Sequence, residues 1–141
     1  MNDKAEPAAI DIAALACRDE LCRSLGIELV EASLGRAVTR VMIERRHLNF
    51  NGVGHGGLTF TLADAAFGFA CNSQGVVSGS IDAHIVYSAA VRLGEVLTAR
   101  AIEISRSSKA STYRIDVVRA DGKLVAAMTG TALISGKPVV V

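Results

Sequence analysis

The sequence predicts an α+β domain in which an antiparallel β-sheet wraps around one long central helix, and three observations lead to it. The stretch 56–71 is almost uncharged and has the composition of a buried helix. The runs flanking it alternate apolar with polar residues or are rich in β-branched ones, and turn sequences separate them. The chain of 141 residues, half of them hydrophobic, suits one core and not two. A helix apolar nearly all round must be covered on most sides, and a single curved sheet does this economically.

Taken in order, residues 10–24 set Ile12, Leu15 and Ala16, with Leu25 just beyond, among Asp11, Arg18, Asp19 and Arg23. This pattern predicts a weakly amphipathic peripheral helix and marks 1–25 as an N-terminal extension to a main domain at 26–136. Strands are expected at 27–32 and 37–44, with Ser33-Leu34-Gly35 as their hairpin connection. Residues 45–55 read as loop, because Asn49, Asn51, Gly52 and Gly54 favour turns. The long helix begins near His55 and stops at Asn72-Ser73-Gln74-Gly75. Four strands follow at 76–87, 95–105, 110–119 and 123–135. The third alternates Tyr113, Ile115 and Val117 with Arg114 and Asp116, and Asp121-Gly122 is a hairpin turn, so an antiparallel meander of all four is expected.

Composition removes several classes of function. Fifteen basic against fourteen acidic residues, four Phe, two Tyr and no Trp offer neither a basic stripe nor stacking platforms for nucleic acid. Asp3, Glu6 and Asp11 stand where a signal peptide needs basic and then apolar residues, so a cytoplasmic protein is expected. Three cysteines, Cys17, Cys22 and Cys71, have no CxxC spacing and read as reduced, mostly buried thiols. The apolar stretch is shorter than the roughly 20 residues of a membrane span and has an aspartate at its centre. His47, His55 and His84 form no HExxH pair, so no metal is expected. There is no GxSxG elbow and no GxxxxGK loop.

Between Leu48 and Ile81, 34 residues, Asp64 is the one formal charge. Ordinary charge usage would put about seven there. A carboxylate in mid-helix has poor propensity, and burying it costs several kcal/mol without a partner. It either meets hydroxyl or backbone donors and fixes register, faces solvent, or serves chemistry. At the helix start, His55-Gly56-Gly57 exposes backbone N–H groups in the field of the macrodipole. That arrangement suits a carbonyl oxygen gaining negative charge, and equally a tight loop-to-helix transition that needs glycine.

The segment NFNGVGHGGLTFTLADAAFGFACNSQG, 27 residues, resembles the signature of hotdog-fold acyl-CoA thioesterases. The likeness is to the phenylacetate-pathway (PaaI-type, hydroxyphenylacetyl-CoA) subfamily in particular, in which HGG, a helical LAD and a closing CNS-x-G recur together. IDAHIVYSAAVRLGEVLTARAIEISRSSK and DGKLVAAMTGT resemble the family's sheet segments, so the likeness covers most of the chain from Ile27. It implies a hotdog fold and hydrolysis of an acyl-CoA thioester, with no cofactor besides the CoA of the substrate.

Position by position, the resemblance makes Asp64 the catalytic carboxylate, as nucleophile or general base. Gly57, with Gly56 beside it, becomes the helix N-terminus that polarises the carbonyl. Asn49 matches a residue that positions the thioester, and His55 one that orients the loop or the carbonyl. Ser80 matches a Ser or Thr that holds the attacking water in some relatives. Arg106, Ser107, Ser108 and Lys109 fall where members touch the CoA phosphates, and read equally as a solvated hairpin tip. Phe50, Phe60, Leu62, Phe67 and Phe69 line an acyl pocket or are simple core. An aromatic acyl group follows from the resemblance alone; a medium-chain acyl-CoA, or a module that binds acyl-CoA without hydrolysing it, are the alternatives. Gly57 and Asp64, seven positions apart, lie about 10 Å from each other along a helix, too far to share one thioester within a chain. The site is therefore expected between two antiparallel helices of a homodimer, with a dimer of dimers implied by the resemblance.

Overall fold

The computed structural model describes residues 10–141; the first nine, with Asp3 and Glu6 of the expected extension, lie outside the described residues. Asp11 and Asp19 each start a helix by accepting the backbone N–H three residues on. Asp11 accepts from Ala14 at 3.2 Å for α1 (Ile12–Cys17), and Asp19 from Cys22 at 3.0 Å for α2 (Glu20–Leu25). The single helix expected at 10–24 is thus two short ones. The break comes at Arg18 and Asp19, where the aspartate side chain competes for backbone donors and ends the first helix.

β1 (Glu28–Ser33) and β2 (Arg36–Met42) form a hairpin whose Gly35 adopts φ +70°, a conformation that costs other residues strain. A 3₁₀ turn at Arg45–His47 and a loop lead to α3 (Gly56–Asn72). β3 (Val76–Tyr87), β4 (Val96–Arg106), β5 (Ala110–Arg119) and β6 (Leu124–Pro138) complete one six-stranded antiparallel sheet of order β1-β2-β4-β5-β6-β3.

This order corrects the expected four-strand meander. β4, β5 and β6 do form one, but β3 pairs with β6 at the far edge. The reason lies in residues 88–95, which are pinned across the end of the sheet. Val91 is buried there and its carbonyl accepts the Gly54 N–H at 2.6 Å, while Gly94 N–H reaches Ile43 O at 2.8 Å. The chain is thereby carried to β2 before β4 begins. Local turn signals report adjacency in sequence and are blind to such a crossing.

α3 lies against one face of the sheet. Leu62, Ala63, Ala66 and Phe67 lose all exposure, and the Phe67 ring meets Tyr113 with centroids 5.4 Å apart at 50°. The approach is close because Gly130 on β6 has no side chain; a Cβ there would stand 2.7 Å from the Phe67 ring. Inside the core, Thr39 Oγ1 donates to Leu62 O at 2.8 Å, so the buried hydroxyl is satisfied. Phe50, expected in an acyl pocket or core, is 97% exposed in the single chain, since it sits at the tip of the 48–54 loop. Cys22 and Cys71 are buried, Cys17 is exposed, and all three are free thiols. No helix among the described residues is long and apolar enough to cross a membrane.

Candidate active site

The loop before α3 is shaped by Asn49. Its Oδ1 accepts from Asn51 N at 2.9 Å and Val53 N at 3.4 Å, while Gly52 supplies φ +73°. The Leu48–Gly54 bridge closes the loop, and Gly54 packs so tightly on Val91 that a Cβ would lie 3.0 Å from it. With Oδ1 occupied, the Asn49 amide nitrogen remains an uncommitted donor among the described residues. His47 is a structural residue: buried, it accepts from Glu44 N at 2.9 Å through Nδ1 and meets Leu25 O at 2.9 Å through Nε2.

His55 is the N-cap of α3 in extended conformation, and its Nδ1 accepts the Gly57 N–H at 2.8 Å. The N–H expected to polarise a carbonyl is therefore held by its own cap, and the Gly56 N–H is the one without a partner among the described residues. From the other side, Tyr87 Oη donates to Gly56 O at 2.9 Å and fixes the helix start to the end of β3. The sequence reading missed this tyrosine, although its place at the end of the expected 76–87 strand was visible.

Asp64 lies seven residues further along the same unbroken helix, on the stripe that also carries Gly57, Thr61 and Gly68. It is half-buried, and no donor among the described residues bonds its carboxylate. Loss of water, and then the negative charge of Asp19, push its pKa up. A cavity of about 350 Å³ opens beside it, lined by Leu15, Arg18 and Asp19 from the N-terminal helices and by Ala65, Gly68, Phe69 and Asn72 from α3. The expected peripheral helix thus contributes three residues to the wall around Asp64. Asp19, as a cap that splits a helix, was the available signal. Burial pushes the Cys22 thiol up to about 12 and the Cys71 thiol up to about 11, so both stay protonated and are poor nucleophiles.

The remaining expected residues lie elsewhere. Ser80 is on exposed β3, opposite Ala132, two residues beyond Ser78, whose N–H is held by Asn72 at the C-terminal end of α3. The 106–109 turn is at that end too: β4 reaches it where Gly35 joins Glu103 N to Ser73 Oγ. Arg106 is paired with Glu103 at 3.4 Å, and Ser107 closes the turn through Ala110 and Lys109, leaving the Lys109 and Ser108 side chains exposed. One chain therefore holds Asn49, His55, Gly56 and Gly57 at one end of a helix about 25 Å long, Asp64 near its middle, and Ser80 and the turn towards the other end. Among the described residues no three His, Cys, Asp or Glu side chains converge to hold a metal ion.

Comparison with known proteins agrees with this architecture. The thioesterase superfamily matches residues 51–126, which contain the second half of the loop, α3, β3 to β5 and the start of β6. The acyl-coenzyme A thioesterase PaaI of Escherichia coli is 33% identical over 112 residues, 79% of this chain and 80% of that protein. The structure of the E. coli PaaI protein from the phenylacetic acid degradation operon superposes with a TM-score of 0.88 at 30% identity, covering 91% of this chain and 93% of that one. A hypothetical thioesterase protein from Streptococcus pneumoniae, solved with coenzyme A, gives 0.76 at 26% identity over 80% and 91% of the two chains. On its six-stranded sheet wrapped on one helix and on these matches, the chain belongs to the thioesterase superfamily, as a hotdog-fold acyl-CoA thioesterase of the PaaI type.

Proposed function

We propose that the protein hydrolyses an aromatic acyl-CoA of the phenylacetyl or hydroxyphenylacetyl kind to the free acid and CoA, at sites shared between two antiparallel subunits. The observation that carries this reading is the separation on α3. A helix start with the Gly56 N–H free and the Gly57 N–H held by His55, and a carboxylate without a donor among the described residues, stand about 10 Å apart on one stripe, too far to act on one thioester but complementary if a second helix runs the other way. In that arrangement the Gly56 and Gly57 N–H groups of one subunit and the Asn49 amide face the carbonyl oxygen. Asp64 of the other subunit attacks the carbon or takes a proton from a water that does. The same reversal brings Ser80 and the 106–109 turn of one chain towards the helix start of its partner. His55 then yields the Gly57 N–H to the substrate oxygen. Collapse of the tetrahedral intermediate breaks the C–S bond, and the CoA thiolate takes a proton from the Asp64 carboxyl group where it acted as base, or from water where it attacked; on the second route water then hydrolyses the acyl-aspartyl anhydride to the free acid and the carboxylate.

The aromatic acyl group is supported by the likeness to a protein of a phenylacetic acid degradation operon and by Leu15 and Phe69 on the Asp64 cavity. The test has two parts. Steady-state hydrolysis by Asp64→Ala and Asp64→Asn on a panel of acyl-CoAs is expected to lose about 100-fold or more in kcat with little change in KM. Inactive Asp64→Ala mixed with inactive Gly57→Pro, each first shown to fold and to exchange subunits, is expected to regain part of the wild-type rate. Full turnover by folded Asp64→Asn would overturn the catalytic role, and inactivity of verified mixed dimers would overturn the shared site. Tight binding of acyl-CoA without turnover by the wild type would make the protein a binding module.

A further inference from the structure

The link between α1 and α2 places a second carboxylate on the cavity that Asp64 lines. Asp19 is half-buried, and its carboxylate is fixed by its bond from Cys22 N at 3.0 Å. Neither Asp19 nor Asp64 has a basic side chain within ion-pairing distance among the described residues. The one cation on the cavity wall among the described residues, Arg18, is exposed and directs its guanidinium to Val140 O at 2.8 Å. The other titratable groups that sense Asp64 are the Cys22 and Cys71 thiols, both held neutral by burial. Among the described residues, two carboxylates therefore share a partly dehydrated space with no cation between them, where like charges interact more strongly than in water.

We propose that Asp19 is a positioning residue for the reaction at Asp64: a carboxylate held immobile by its bond from Cys22 N and presented by the N-terminal helices across the shared cavity, so that the two carboxylates act as a pair. The inference rests on the reading of Asp64 as the catalytic carboxylate. Its physical content is that Asp64 holds a proton more firmly with Asp19 present, the direction in which the Asp19 charge pushes it. The N-terminal extension is then part of the catalytic machinery of the main domain.

The test is Asp19→Asn, which removes the charge while asparagine remains a good N-cap; Asp19→Ser, also a cap, guards against a folding defect peculiar to the amide. The acid limb of the kcat/KM profile reports ionisation of the base in the free enzyme. In both variants that limb is expected to move to lower pH, and Asp19→Glu is expected to bring it back. A merely structural role for Asp19 would lower the rate or the Tm and leave the limb in place; an unmoved limb in either well-folded variant overturns the proposal. NMR titration of the Asp64 side-chain carbon separates this failure from failure of the catalytic reading. If Asp64→Asn keeps full activity, the catalytic reading has fallen and the proposal with it, whatever coupling the titration records. If Asp64→Asn is inactive and the Asp64 titration does not shift in Asp19→Asn, the Asp19 proposal alone has fallen.

Discussion

Asp64 gives up water on α3 without receiving a donor in return among the described residues, and Asp19 adds a like charge. Its pKa is raised, so the native state binds a proton more tightly than the unfolded chain does, and the ionised group opposes folding. That penalty is absent below the unfolded range near about pH 4 and fully present above the folded pKa. Asp64→Asn is therefore expected to have an unchanged or higher Tm at neutral pH, with an advantage over wild type that shrinks as pH falls towards about 4. Thermal unfolding of both proteins across that range checks it; a Tm many degrees lower at pH 7 would mean that a structural hydrogen bond had been removed. Asp64 was legible in the sequence because it is the lone charge in a long apolar window. His55 was legible only as a member of a motif, since no spacing rule foretells that its ring caps Gly57. Asp19 was read as helix surface, because amphipathic pattern ignores the competition that breaks a helix at a cap.

At the scale of elements, the seat of α3 on the sheet depends on one missing side chain. Gly130→Ala would drive a Cβ into the Phe67 ring at 2.7 Å, and Tyr113, the register partner of Gly130 on β5, already stands against that ring. Overpacking of this kind is expected to destabilise the fold by about 1–3 kcal/mol, seen as a lower denaturation midpoint in urea. Activity should fall with it, because moving α3 moves both Gly57 and Asp64; an unchanged midpoint would show that the ring relocates without strain. The strands themselves were legible, and alternation at Tyr113, Ile115 and Val117 put the correct face of β5 inward. Their order was not: the buried Val91 and its bond to Gly54 decide where β3 ends up, and those are long-range contacts with no local sequence signature.

In the whole molecule, β3 is the feature that asks for company. It is twelve residues long, pairs among the described residues only with β6, and exposes Val77, Ile81, Val86 and Tyr87 along its other edge. Such an edge is a template for another strand. Together with the stripe of α3 that carries Asp64, it is the surface through which the proposed subunit pair would form. Sedimentation is expected to show a dimer or a multiple of it, and specific activity is expected to fall on dilution through the range where the dimer dissociates. A fully active monomer would remove the reason for placing the site between chains.

The place of β3 also sets a timetable. Its partners on β6 lie 39 residues away at Tyr87–Ala126 and 62 at Val76–Pro138, and β6 is the last of the six strands to be synthesised. While the ribosome is still at work, both edges of β3 are open and α3 has an incomplete sheet beneath it. Closing such distant pairings is slow compared with forming the β4–β5 hairpin. The nascent chain therefore passes through a state that presents an apolar helix and a bare strand together, the condition in which chains associate wrongly. Truncation within β6 should accordingly yield aggregates and not a smaller soluble domain, and early chaperone engagement should begin once α3 and β3 have emerged.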